Sequence, residues 1–417
     1  MLVADPVLVA ARDVSLVHNS FRSWQRDSVL NGSLPMIGIA GTRGKSTVLR
    51  LVEEMLVTMH LRRATWTDLG VQIQGRRQRG EIAGWRHALT RLSEGSIDVA
   101  LQELDWATVN AAGLPAGTYP VLVLTGLRDL AENPEKSPAL QYAVRAAYTC
   151  VGAVHHDGFM VVNGDDYYAV DAAANCDATV ILVSKSFQAP LLQQHLADGG
   201  SAVWVRNGSI WVGDRQHATK IIRVSDVPLT MDGEATFNVT NVLLAIAVGR
   251  GIGLDVPSIV QALQRFRAAW HILPASMNVY EADSYRAVID QLGPGWVIKS
   301  VLRAVNPNAE RRQVTVVGDL DWIAAEDVFE LGRQLGRYHG AVVIHGEQDP
   351  DRMADFRRGL SANQYPPLFS WLPTERRAIN RAFKSLKKGD VLLILTTRDS
   401  SAAHRAVRRH IAREDHE

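Results

Sequence analysis

The apolar positions of this chain gather into short continuous runs separated by longer stretches with helical periodicity. Residues 36–40, MIGIA, lead into a Gly-rich turn and then into apolar positions spaced along VLRLVEEML, which predicts a strand, a loop and a helix. Similar runs recur at DVALQEL (98–104), PVLVLTGL (120–127), FMVVNGDD (159–166) and ATVILVS (178–184). Runs apolar on both faces, alternating with helical segments, predict a mostly parallel sheet covered on both sides. The texture changes over 202–229, where AVWVRNGSIWVGD places two β-rich runs around Asn207-Gly208. That dipeptide predicts a hairpin and a small antiparallel appendage. TFNVTNVLLAIAVGRGIG then predicts an apolar helix ending near Gly251 or Gly253.

A boundary is expected around Trp270 to Pro274, with new strands beyond it at RAVID (286–290), QVTVVGD (313–319), AVVIHGE (341–347) and VLLILTT (391–397). The organisation predicted is an N-terminal extension (1–33), a central domain (34–272) and a C-terminal α/β domain (273–417). The last segment, AAHRAVRRHIARE, carries an apolar stripe and predicts a solvated surface helix rather than a nucleic-acid arm.

Composition narrows the function. With 417 residues, 47% hydrophobic and 21% charged, the chain can bury two or three ordinary cores. Lys plus Arg (45) nearly cancels Asp plus Glu (44), so no global field draws it to nucleic acid or an anionic membrane. Cys150 and Cys176 cannot build a disulfide framework, which fits a reducing, cytoplasmic setting. The start of the chain reads as neither secretory signal nor anchor. The charge-free run from Ala107 to Leu127 is broken by prolines and glycines, so no membrane span is expected.

The chemistry concentrates in Gly41-Thr42-Arg43-Gly44-Lys45-Ser46-Thr47, between the first strand and its helix. Glycines let backbone N–H groups approach phosphate oxygens, the helix N-terminus favours negative charge, Lys45 can reach terminal phosphates and Ser46 can ligate Mg²⁺. Ile39 stands where a full P-loop would have its first glycine, and Gly38 lies one residue early.

This shortened loop resembles that of the Mur ligases and their relatives: folylpolyglutamate synthetase, poly-γ-glutamate synthetase and the C-terminal half of cyanophycin synthetase. The order of features supports the resemblance over almost the whole chain. Thr67-Asp68-Leu69-Gly70, a hairpin-like stretch VQIQGRRQRGEIAG, and DVALQEL ending on Glu103 are similar to the cyanophycin synthetase pattern. VVNGDD is similar to the family's Asn-x-Asp-Asp turn, and Phe237-Asn238-Val239-Thr240-Asn241 resembles its Asn-x-x-Asn helix start. The resemblance implies a P-loop-containing central Mur-ligase-like domain with a mostly parallel sheet, followed by a Rossmann-like C-terminal α/β domain. It implies ATP and Mg²⁺ as cofactors, with Gly41, Thr42, Arg43, Gly44, Lys45, Ser46 and Thr47 on the nucleotide's phosphates. Ser46 and Glu103 would hold the metal, Lys45 and Glu103 would carry the catalysis, Asn238 and Asn241 would contact adenine, and Asp290 would hold the ribose. Read without the resemblance, Glu103 also suits a strand-end salt bridge, Asn238 an N-cap and Asp290 a cap for the turn Gly293-Pro294-Gly295.

Departures from the family pattern are equally specific. Thr125-Gly126-Leu127-Arg128-Asp129-Leu130 lacks the histidine that commonly helps hold a second metal. Arg145 occupies the approximate place of a lysine carbamylated in many members, and arginine cannot become a carboxylate ligand. Pro274-Ala275-Ser276 replaces Pro-Gly-Arg at the hinge, and Gly318-Asp319-Leu320-Asp321 replaces Gly-Asp-Arg. The activity implied is ATP-dependent amide ligation, in which a carboxylate is activated as an acyl phosphate and attacked by an amino acid or peptide amine. The substrates would be an amino acid and a peptide or polymer carboxylate. The alternative is an ATP-binding pseudo-ligase acting as a partner or regulatory subunit. A homo-oligomer and a partner ligase subunit are both compatible with the family. His155-His156-Asp157 reads as a loop, because adjacent residues rarely face one metal.

Overall fold

A computed structural model describes residues 34–127, 138–397 and 399–414. The N-terminal extension and Arg128-Asp129-Leu130 lie outside the described residues. The chain divides into two units: one runs to Gly233 and takes up Phe237–Phe266, and the other holds Glu234–Thr236 and the residues from Arg267 on.

The first unit is built on one eleven-stranded sheet. Its strands are β1 (Met36–Ala40), β2 (Arg63–Thr67), β3 (Gly70–Ile73), β4 (Arg76–Arg77), β5 (Val99–Leu104), β6 (Tyr119–Leu124), β7 (Val154–Asn163), β8 (Thr179–Ser184), β9 (Ser201–Arg206), β10 (Ser209–Gly213) and β11 (Ala218–Arg223). The order across the sheet is β11-β10-β9-β8-β7-β6-β1-β5-β2-β3-β4. From β9 to β2 every pair is parallel. Both flanks turn antiparallel. β1 and β6 are buried at every position, which is why they read as unbroken apolar runs. The flanking hairpins use two-residue turns with positive φ at both positions, Asn207-Gly208 and Gln74-Gly75. Such turns match the right-handed strand twist. β1 lies between β5 and β6, so the strand order reverses there and a crevice opens beyond its carboxyl end.

The second unit holds a six-stranded sheet of β12 (Asn278–Glu281), β13 (Tyr285–Gln291), β14 (Gln313–Val317), β15 (Gly340–His345), β16 (Leu368–Leu372) and β17 (Asp390–Thr396), ordered β12-β13-β17-β14-β15-β16. Only β12 runs antiparallel. The C-terminal segment forms the helix Ser401–Glu414, which buries Ala403 and Val407 against this sheet. No helix among the described residues is long and apolar enough to cross a membrane.

Candidate functional site: a phosphate-binding loop facing two carboxylates

The loop after β1 is held from three sides. Thr125, just past the end of β6, donates its N–H to Ala40 O (2.9 Å) and its hydroxyl to Arg43 O (2.5 Å). Thr42 donates its N–H to Gly126 O (3.0 Å), and Trp106 Nε1 donates to Thr42 Oγ1 (3.2 Å). Two glycines make this approach possible. Gly41 has φ +145°, and a Cβ there would fall 1.9 Å from Thr125 Oγ1; Gly44 has φ +84°, and its Cβ would fall 2.3 Å from Asn241 Oδ1. The helix Lys45–Thr58 starts directly after Gly44 with no side chain capping its first turn. An uncapped N-terminus presents amide hydrogens and the positive end of the helix dipole to an anion. Lys45 Nζ donates to Gly41 O at 2.9 Å, folded over its own loop. Arg43 is exposed and Thr47 is buried.

Opposite the loop stand two carboxylates. β2 and β5 are parallel neighbours in register at Trp66 and Gln102, so Asp68, just beyond β2, and Glu103, near the end of β5, meet at the carboxyl edge. Ser46 Oγ donates to Asp68 Oδ1 at 3.5 Å. Burial, followed by the hydrogen bond and charge of Asp68, pushes the Glu103 carboxyl up to about 8. Asp68 is held below the usual carboxylate range, first by its hydrogen bond with Glu103 and also by Lys45 and Ser46. The two acids therefore share a proton, with Glu103 as its holder. Glu103 Oε1 is buried without a hydrogen-bond partner. An orphaned carboxylate oxygen, a second carboxylate and a serine hydroxyl form the hard oxygen set that Mg²⁺ requires, so the residues present fit that ion. Sequence reasoning left Asp68 out of the site. The signal was present in Thr67-Asp68-Leu69-Gly70, but the role arises from a strand distant in sequence.

The helix Thr236–Gly251 brings Asn238 and Asn241 to the loop, both buried. Asn241 Nδ2 donates to Asn238 Oδ1 (3.1 Å), and Asn238 Nδ2 donates to Leu229 O (3.0 Å). Asn238 lies two residues inside the helix, so it is not an N-cap. VVNGDD acts as a brace: Asn163 Nδ2 donates to Thr125 O (3.0 Å), and Asp166 accepts from Leu127 N (2.6 Å) while capping the helix Tyr167–Ala173. Asp290 belongs to the second unit, near the end of β13 and buried. Its Oδ1 accepts from Gln291 N (2.8 Å) and Met277 N (3.4 Å), a role near Pro274-Ala275-Ser276 rather than at Gly293-Pro294-Gly295. The structure thus assembles the Gly41–Thr47 loop, Glu103, Asn238 and Asn241 within one unit. Arg145 is exposed on the helix Pro138–Gly152.

No family model matches the chain. Over 324 residues it is 26% identical to a cyanophycin synthetase from Crocosphaera subtropica, which covers 76% of this chain and 36% of that protein. It is 26% identical over 364 residues to a UDP-N-acetylmuramoylalanine--D-glutamate ligase from Geobacillus sp., covering 86% and 69%. Among solved structures it is similar to Escherichia coli FolC in complex with DHPP and ADP, at TM-score 0.61 and 15% identity, covering 95% of this chain and 99% of that one. The chain spans less than half the length of the cyanophycin synthetases it matches, 36% and 44% in two of them. Over most of its length the chain is thus similar in sequence to cyanophycin synthetases and Mur ligases, and its fold is that of the Mur ligases and FolC.

Proposed function

We propose that the chain is an ATP-dependent amide ligase that activates a carboxylate as an acyl phosphate for attack by an amino acid or peptide amine. The observation that carries this reading is the meeting of Lys45, Ser46, Asp68 and Glu103 at an uncapped helix N-terminus. Lys45 would leave Gly41 O to neutralise charge developing on the transferred phosphoryl group, while the amides of the first turn orient the phosphates. Ser46, Asp68 and Glu103 would hold Mg²⁺, which when bound offsets phosphate charge and favours transfer. Asn241, against Gly44, and Asn238 would orient the nucleotide's base. Arg43, exposed at the loop tip, suits a bidentate contact with a phosphate or the acceptor carboxylate. The curated cyanophycin synthetases supply the analogy for an amino acid joined to a polymer carboxylate, and a cytoplasmic setting goes with it.

A second reading, an ATP-binding subunit without its own turnover, is favoured by the exposed Arg145 and by the engagement of Asp290 with backbone amides. ADP release with Mg²⁺-ATP across a panel of amino acids and acidic or peptide acceptors, beside Lys45→Ala, separates the two. The ligase reading expects acceptor-dependent release that falls on the order of 10²-fold in the variant. ATP binding with no release for any acceptor would turn the assignment to the second reading.

A further inference from the structure

β7 leaves the regular ladder well before it reaches the nucleotide end. Val154 pairs with Tyr119 and Phe159 with Val121, so residues 154–158 stand against residues 119–120 of β6. The surplus residues form an extended bulge. Gly158 closes it, since a Cβ there would fall 2.2 Å from Pro120 O. In a regular strand, successive side chains point to opposite faces. Here the bulge removes that alternation, and His155, His156 and Asp157 each bring a ligand atom to within 4.8 Å of the others. The two imidazole rings lie 4.4 Å apart between centroids, 30° from parallel. His156 Nε2 is 3.1 Å from Asp157 Oδ2, and Asp157 N donates to His155 Nδ1 at 3.2 Å, which ties that ring to the backbone of the bend. His155 is buried, Asp157 half-buried and His156 exposed, so the group is anchored within and reachable from solvent.

We propose that His155, His156 and Asp157 form a binding site for a borderline divalent transition metal, with Zn²⁺ as the reference ion. The site sits at the end of the first unit's sheet opposite the Lys45 loop. Two imidazoles and one carboxylate suit Zn²⁺, whereas Mg²⁺ prefers oxygens alone. Three protein ligands leave a fourth position for water or an external donor. Bound there, the ion would pin the bulge between β6 and β7. The site is independent of the ligase reading.

Zn²⁺ titrated calorimetrically into the tag-free full chain, in excess Mg²⁺ to occupy the Asp68 and Glu103 carboxylates, tests it. One Zn²⁺ per chain is expected. Affinity should fall at least about tenfold in His156→Ala and in Asp157→Asn and stay unchanged in His87→Ala, an exposed histidine elsewhere. Co²⁺ should give visible ligand-field absorption in the wild type that is lost in His156→Ala. Failure to take up Zn²⁺, or equal affinity in wild type, His156→Ala and Asp157→Asn, overturns the site and leaves the triplet as a histidine–aspartate pair.

Discussion

The Thr125 hydroxyl occupies the space that any side chain on Gly41 would need: a Cβ built there falls 1.9 Å from Oγ1. The same hydroxyl holds Arg43 O at 2.5 Å, so the glycine and the threonine fix one loop geometry between them. Gly41→Ala is expected to cost about 1–3 kcal/mol through its backbone conformation alone. It should also abolish nucleotide binding, because relief of the clash pushes the loop off its track. Urea unfolding beside nucleotide titration measures both effects.

Thr125→Val keeps the shape but removes the hydrogen bond to Arg43 O. The expected result is a roughly three- to tenfold weaker nucleotide Kd, with affinity restored in Thr125→Ser. Rescue by serine separates positioning from packing. Full affinity in Thr125→Val together with a loss in Thr125→Ser would argue that the methyl group matters and the hydroxyl does not.

Glu103 gives the metal-free protein a pH signature. Its folded pKa, about 8, lies above the ordinary carboxylate value of 4.5, so the folded state binds more protons between those limits. Stability should therefore fall as pH rises through that window and level off above it. Asp68, shifted down from 3.8, acts in the other direction and only in acid, where its contribution is lost as pH drops. Thermal unfolding across pH should show the decline in wild type and lack it in Glu103→Gln. Mg²⁺ competes with the shared proton, so its affinity should climb with pH up to about 8 in calorimetry and be weak throughout in Glu103→Gln.

Asn238 links two partners inside the fold, Leu229 O and the Asn241 amide. Asn238→Ala leaves both unsatisfied and is expected to destabilise the protein by about 1–3 kcal/mol in denaturant titration. Its nucleotide affinity should fall even at temperatures where the variant is fully folded. Unchanged affinity there would confine Asn238 to a structural role.

The central strands were legible because burial on both faces writes itself as a continuous apolar run, as in β1, β6 and β17. The Asn207-Gly208 hairpin was legible because its turn demands positive φ at two successive residues. β16, LFSWL, was not: it lies at the sheet's edge, where Leu368 and Trp371 are exposed and the pattern has no inner face to record. The glycine loop between β1 and the helix Lys45–Thr58 is local in sequence, so its strand-loop-helix setting could be read there. Asp68 could not, since only the pairing of β2 with β5 brings it to Glu103. His155-His156-Asp157 read as a loop because adjacent residues rarely face one metal and a glycine follows; the structure places them instead in β7, where a bulge that has no composition of its own breaks the register. Asn238 had two local readings, and its place two residues inside the helix Thr236–Gly251 removes the capping one.

The hydrogen bond from Lys45 Nζ to Gly41 O has a consequence for how affinity should be understood. The resting loop is self-saturated: its cation already has an acceptor, so an arriving phosphate exchanges one partner for another. Selectivity then becomes a contest between a neutral carbonyl and the incoming anion. A ligand wins that contest by its charge, and uncharged mimics of the same shape gain nothing from Lys45.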